Sequence, residues 1–278
     1  MSLDGDPLDE DYVRTRLERP PFVTIDGVLN IRDLGSYPTA NPTLITKPSL
    51  IYRSGEVSGI TEEGKSQLKS LGITHIFDLR SDPEMAKWHS PIPHIDGVQV
   101  IHVPVFKSED YSPEMIAKRF ELYSANKTEA FMELYTQIMD NAGPSFRTIL
   151  RHIRDHPDSG CIFHCTAGKD RTGILAALLL KLAGADDQTI ADDYALTRVG
   201  REPARKKIMA RLQEEPLFAS NNEAALNMFS CRPDTMLAFL SMLEEKYGSV
   251  ERYLRDVVQL TDEDISIVRS NILTPRPS

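Results

Sequence analysis

Apolar residues along this chain follow two rhythms. Short β-branched runs bounded by turn residues alternate with stretches whose apolar positions recur every three or four residues. Ser49–Arg53 reads as a strand. Thr61 then caps a helix whose Leu68 and Leu71 face inward and which stops at Gly72. Thr74–Asp78 and Val98–Val105 read as the next strands, and strand–helix–strand at this spacing predicts βαβ units and a largely parallel sheet. From Ser108 to Asn141 the pattern is helical and amphipathic, with Met115, Ile116 and Phe120 on one stripe and Phe131, Leu134, Tyr135 and Ile138 on another. These stripes fit either packing helices or an insertion lying over a site, and a helical lid across 108–141 is the expectation carried forward. The C-terminal half reads as helices, including Thr172–Leu182, Pro233–Tyr247 and Val250–Val257. Met1–Pro20 is polar and acidic and reads as a flexible arm. The expected organisation is an arm over 1–20 followed by one domain over 21–278.

Composition narrows the function classes. The 278 residues carry 32 Lys and Arg against 41 Asp and Glu, a net charge of −9, which speaks against a general nucleic-acid binder. No apolar run approaches the roughly 20 residues of a membrane span, and no signal segment opens the chain, so no stable membrane insertion is expected. Three cysteines, Cys161, Cys165 and Cys231, make no disulfide framework and point to a reducing, cytoplasmic setting. Cys161 and Cys165 cannot bridge within a straight strand, because four residues span about 13 Å and a disulfide needs Cα atoms within about 7 Å.

The chemistry lies in His164-Cys165-Thr166-Ala167-Gly168-Lys169-Asp170-Arg171-Thr172-Gly173. An apolar strand ends at His164-Cys165, five residues follow, and Arg171 opens an apolar helix. Such a loop turns its backbone N–H groups inward, and together with a helix N-terminus it forms a nest for a phosphate dianion across Thr166, Ala167, Gly168, Lys169, Asp170 and Arg171. Arg171 can clamp two phosphate oxygens. The same positive field favours a thiolate at Cys165, and Thr172 is placed to donate its hydroxyl to that sulfur. The implied reaction is in-line attack of Cys165 on phosphorus to give a phosphocysteine, with a carboxylic acid protonating the leaving oxygen and water completing hydrolysis. It calls for no metal and no cofactor, and the seven histidines show no metal-ligand spacing. A nucleotide P-loop is excluded, since Gly168-Lys169 is followed by Asp170 and the first glycine is missing.

This segment resembles the signature of the cysteine-dependent phosphatases. More closely, the chain from about Val28 onward resembles the atypical bacterial and fungal tyrosine phosphatases that also act on phosphoserine, phosphothreonine and phosphoinositides. Asn30–Gly35, Tyr52–Gly55, Asp78–Ser81 with Glu84, and Tyr247–Tyr253 match recurring features in the same order. The resemblance implies a three-layer α/β/α phosphotyrosine-phosphatase-like fold, Cys165 as nucleophile and Arg171 as phosphate clamp. It also implies Lys169 as a second cation, Asp170 as a loop acid and a two-helix lid within 108–141. Phosphorylated proteins or phosphoinositides are the expected substrates. The Trp-Pro-Asp acid loop of the receptor-like relatives has no counterpart here; Trp88 lies between Lys87 and His89.

Two aspartates compete for the role of acid. Asp170 lies within the loop beside the bound phosphate. Asp78 ends a strand at the rim where α/β active sites gather, and its other role is a salt bridge with Arg80, Arg53 or Arg32. Asp170 is placed first, Asp78 second and Asp82 behind them. Arg198, Arg201, Arg205, Lys206, Lys207 and Arg211 surround one acid, Glu202, and read as a solvated helix face or, alternatively, as a basic rim guiding polyanions. A phosphate-binding module without turnover and a rhodanese-like sulfur transferase are the rival readings of the whole.

Overall fold

The computed structural model describes residues 6–106, 128–214, 226–227 and 229–277. Its strands are β1 (Arg32–Asp33), β2 (Leu44–Thr46), β3 (Ile51–Ser54), β4 (Ile73–Asp78), β5 (Gln99–His102), β6 (Gly160–His164) and β7 (Leu273–Pro275). Five of them form one sheet in the order β1-β3-β6-β4-β5, parallel except for β1, while β2 and β7 pair as a separate antiparallel ribbon. The central, mostly parallel sheet flanked by helices is the α/β architecture that the alternation of patterns predicts.

The pleat explains the layers. Successive strand residues face opposite sides, so Ile51, Phe77, Cys161 and Phe163 join the larger core, whereas Tyr52, Ile76 and Ile162 join the smaller one. The larger core is closed by the helices Thr128–Asn141, Gly143–Asp155, Asp170–Ala183, Pro233–Tyr247, Val250–Asp256 and Asp262–Asn271. The smaller is closed by the helix Glu62–Ser70 and by Ile25, Val28 and Ile31. β6 is buried at all five residues, as a central parallel strand covered on both faces must be. The strand expected over Val98–Val105 is shorter, Gln99–His102, with Pro104 just beyond it.

Three expectations are revised. Residues 10–17 of the acidic arm form a helix, capped by the Asp9 side chain on Tyr12 N–H at 2.8 Å. Its Val13 packs with Phe22 and Val199 in a cluster of its own, so this part of the arm is docked. Within the expected lid, Thr128–Asn141 is a packing helix: Phe131, Leu134, Tyr135, Ile138 and Met139 belong to the main core. The stripe of Met115, Ile116 and Phe120 lies outside the described residues. The basic segment is not a solvated face at Arg198, Arg201 and Arg205. Arg198, Arg201 and Arg205 stack over Phe229 at 4.9, 4.7 and 5.0 Å, and Arg198 and Arg205 share Glu202, while Lys206 and Lys207 are exposed. No helix among the described residues is long and apolar enough to cross a membrane.

Register brings the site together. Ser54 pairs with His164, and His164 with Asp78, so β3, β6 and β4 end level with one another. The loops leaving these three strands therefore meet at the carboxyl edge of the sheet.

Candidate active site

The loop after β6 is shaped from behind. Gly168 has φ +64°, and a Cβ there would stand 2.3 Å from the Ser54 carbonyl oxygen, so only glycine fits. The Thr166 carbonyl accepts from Glu56 N–H at 3.1 Å. Asn30 Nδ2 donates to the carbonyls of Ala167 and Gly168 at 3.1 and 3.2 Å, and Arg53 Nη2 donates to Gly168 at 2.9 Å. In a trans peptide the N–H points opposite to the C=O. Tying these three carbonyls outward aims the amides of residues 167–169 into the loop, the arrangement an anion nest requires.

The groups that hold those carbonyls are themselves fixed by one buried acid. Asp193, on the helix Asp187–Arg201, binds Arg32 Nε at 2.9 Å, Arg53 Nη1 at 2.6 Å and the Tyr37 hydroxyl at 2.9 Å. Arg32 also donates to Asn30 Oδ1 at 2.6 Å, which orients the carboxamide. Burial alone would raise the Asp193 carboxyl, but the two guanidiniums outweigh it and bring it down to about 2. Gly200 is required beside this network, since a Cβ would meet Asn30 Oδ1 at 2.3 Å.

The front of the loop is organised by Glu84. Ser81 caps the helix Asp82–Lys87 in a capping box with Glu84, which buries that carboxylate at the loop mouth. Glu84 accepts from Arg171 Nη1 and Nη2 at 2.7 Å each, a bidentate pair, and also from the Thr166 hydroxyl. Arg171 Nη1 reaches the Leu79 carbonyl at 3.2 Å as well. The guanidinium is thus held in one plane by Glu84 and the Leu79 carbonyl, and Cys165 is itself buried just beyond β6.

The two candidate acids sit in unlike places. Asp78 is fully buried, with Arg80 Nε at 2.9 Å from Oδ1, Arg80 Nη2 at 2.7 Å from Oδ2 and the Arg80 amide at 3.0 Å. Burial raises its carboxyl, yet His164 and Arg80 more than offset this and the net direction is downward. A carboxylate so enclosed turns both oxygens to Arg80 and none to open space. Asp170, the first residue of the helix Asp170–Ala183, keeps 19% of its side chain exposed and accepts from the Tyr135 hydroxyl at 3.0 Å.

Two expectations about side chains are corrected. Lys169 does not reach outward as a second cation: its side chain is 1% exposed and its Nζ lies 5.0 Å from the Phe131 ring and 3.7 Å from Asp170 Oδ1. The Thr172 hydroxyl is buried without a hydrogen-bond partner, so the bond expected toward the Cys165 sulfur is not made. The remaining thiols are structural. Burial pushes Cys161 up to about 12 and raises Cys231 as well. Among the described residues, no group of His, Cys, Asp and Glu is arranged to hold a metal ion.

Sequence reasoning gave no role to Asn30, Glu84, Tyr135 or Asp193. Glu84 carries a local signal, the Ser81-to-Glu84 spacing of a capping box. Asp193 carries none, because its partners are some 140 to 160 positions away in the chain.

Comparison with known proteins agrees with this geometry. Over 260 residues, 84% of this chain and 92% of the relative, the sequence is 28% identical to the triple specificity protein phosphatase PtpB of Mycobacterium tuberculosis. It is 27% identical over 222 residues to a tyrosine-protein phosphatase of Nostoc commune, covering 79% of this chain and 73% of that protein. These similarities set aside the sulfur-transferase reading. Residues 23–274 match the model of the tyrosine phosphatase family, and the chain belongs to that family of phosphatases.

Proposed function

We propose that this phosphatase hydrolyses phosphate monoesters through a phosphocysteine on Cys165. The observation that carries the reading is the loop itself: three carbonyls tied outward around a buried cysteine, with Arg171 held at its helical end. The loop amides and Arg171 bind the three non-bridging oxygens, whose charge they stabilise as the S–P bond forms and the ester O–P bond breaks. Asp170 gives its proton to the leaving oxygen. Its carboxylate then takes a proton from the water that attacks the phosphocysteine, which returns the thiolate and releases phosphate. Asp78 is assigned to the scaffold, where it holds Arg80. Thr166, Ala167, Gly168, Lys169 and Asp170 supply the anion nest through their backbone, and Lys169 acts from behind the loop rather than on a second phosphate.

Phosphotyrosine is the primary substrate in this reading. Phosphoserine and phosphothreonine follow from the likeness to a triple specificity phosphatase. Phosphoinositide headgroups are the further class of monoester that the resemblance implies; the inward Lys169 removes one cation that would favour them. The test is turnover of phosphotyrosine, phosphoserine and phosphothreonine peptides and of short-chain phosphoinositides by the wild type and by Cys165→Ser. Loss of all turnover in the variant, with tungstate affinity kept, supports the reading. Appreciable remaining turnover overturns the covalent step.

A further inference from the structure

We infer that Tyr135 and Tyr194 are positioning residues for the acid: their linked hydroxyls hold Asp170 Oδ1 so that Oδ2 carries the transferred proton. The inference rests on Asp170 being the acid of the proposed reaction. Tyr135 donates to Asp170 Oδ1 at 3.0 Å, and its own oxygen lies 2.8 Å from the Tyr194 hydroxyl. A phenol has a single proton. With that of Tyr135 directed at the carboxylate, Tyr194 must supply the other, and the chain runs Tyr194 to Tyr135 to Asp170.

Both rings are anchored. Tyr135 is fully buried, edge-on to Phe131 and Phe239 with centroids 6.3 and 5.8 Å away. Tyr194 lies against Gly173, where a Cβ would stand 3.2 Å from its Cδ2. Tyr194 also follows Asp193 on the same helix, so adjacent residues hold the back of the loop and, through Tyr135, its acid. Burial raises the Tyr135 phenol well above its ordinary value, aided by Tyr194 and Asp170, so it stays a donor throughout turnover.

The purpose of such a chain is geometric. Asp170 begins a helix and is partly exposed, so its carboxylate could otherwise rotate or turn to water. Fixing one oxygen removes that freedom and leaves one oxygen for proton transfer, an advantage felt only where the leaving group needs protonation. The arrangement also explains a tyrosine pair inside an otherwise apolar core, since each buried hydroxyl has a partner.

The test compares Tyr135→Phe, Tyr194→Phe and Asp170→Asn on substrates whose leaving groups span p-nitrophenol to the serine hydroxyl. Asp170→Asn should lower kcat on a phosphoserine peptide by about 10²-fold or more, with a much smaller loss on p-nitrophenyl phosphate. Tyr135→Phe keeps the ring and should lose about tenfold on phosphoserine and about twofold on p-nitrophenyl phosphate, with KM kept. Tyr194→Phe should move the same ratio in the same direction by a smaller factor. A steeper dependence of kcat on leaving-group pKa in both tyrosine variants supports the chain, whereas a merely structural role would lower all substrates alike. If Asp170→Asn shows the leaving-group dependence and neither tyrosine variant does, the positioning role is wrong and the acid stands. If Asp170→Asn shows none, the acid assignment itself fails, and the positioning role goes with it.

Discussion

The loop is held by two arginine–carboxylate systems, and they differ in what they leave available. Behind it, Asp193 binds Arg32 and Arg53, all three essentially without solvent contact; further guanidinium donors run to Asn30, Thr197 and the Gly168 carbonyl, and Arg53 Nε is buried without a partner. In front, Glu84 binds Arg171 at the mouth, where the arginine side chain keeps 10% of its surface open. Burial and chemistry are nearly the same in both, yet the rear system is wholly enclosed while the front one keeps some surface open, on the side where the proposed function places the anion. An ion pair therefore says little about function until one asks what its open side faces. The rear network fixes the backbone of the loop, and the front one fixes the Arg171 side chain, the two parts that the proposed reaction uses to hold phosphate.

The sharpest way to break this comparison is to exchange its effects. Arg171→Lys keeps the charge but loses the planar fork, and kcat on p-nitrophenyl phosphate should fall by about 10³-fold with little change in Tm. A near-wild-type rate would make Arg171 an ordinary helix-end residue. Asp193→Asn leaves two buried guanidiniums without their counter-charge, which should cost about 3–5 kcal/mol and lower Tm by roughly 10 °C. Calorimetry on this variant reads the stability, and activity at low temperature shows how much of the nest survives.

The same network has a pH signature. Asp193 sits at about 2 in the folded chain, against about 3.9 when unfolded. Its contribution is fully present above the unfolded value and is lost as pH falls from about 4 through 2. Asp193→Asn should flatten the acid limb of the stability curve over that range; an unchanged limb would mean that other carboxylates set it.

A smaller loss separates Glu84 from Asp193. Glu84→Gln should leave the fold intact and reduce kcat by about 10²-fold through misplacement of Arg171, measured on p-nitrophenyl phosphate beside Tm. Equal damage to stability in the Glu84 and Asp193 variants would erase the distinction between front and rear.

A region remote from the loop gives the smallest expected effect. His75, His152 and His156 cluster, with centroids 4.1 Å (His75–His152), 4.7 Å (His152–His156) and 5.9 Å (His75–His156) apart, and burial, with the neighbouring imidazoles, lowers His152 to about 4. A histidine held neutral stabilises above its unfolded value of about 6.5, and that contribution is lost as pH falls toward 4. His152→Gln should reduce the fall in Tm between pH 7 and pH 4 without altering kcat.

The parts of this architecture legible in the sequence are those written locally. The alternation of β-branched runs and helical stripes set the parallel sheet, and the segment His164–Gly173 located the loop, because strand end, glycine and helix start lie within ten residues. Glu84 was visible only as part of a resemblance, although its capping box is a local motif. Asp193 left no mark and Tyr135 showed only as one position of an apolar stripe, since a buried acid and a buried phenol take their meaning from partners far along the chain. Lys169 misled for the same reason: a lysine in a phosphate loop suggests an outward cation, and only packing against Phe131 shows that it turns inward. The arm misled because a few apolar residues scattered among polar ones, Val13 with Leu8 and Leu17 beside it, are enough to dock a short helix that Asp9 already caps.

The central claim is that Cys165 becomes phosphorylated during turnover. Rapid mixing with p-nitrophenyl phosphate, an acid quench within one turnover and mass analysis of the peptide bearing Cys165 test it directly. The account predicts one phosphoryl group on that peptide, formed in a burst with p-nitrophenol, and more of it in Asp170→Asn because the attacking water lacks its base. Turnover with no adduct on Cys165 at any quench time, or persisting in Cys165→Ser, would contradict it.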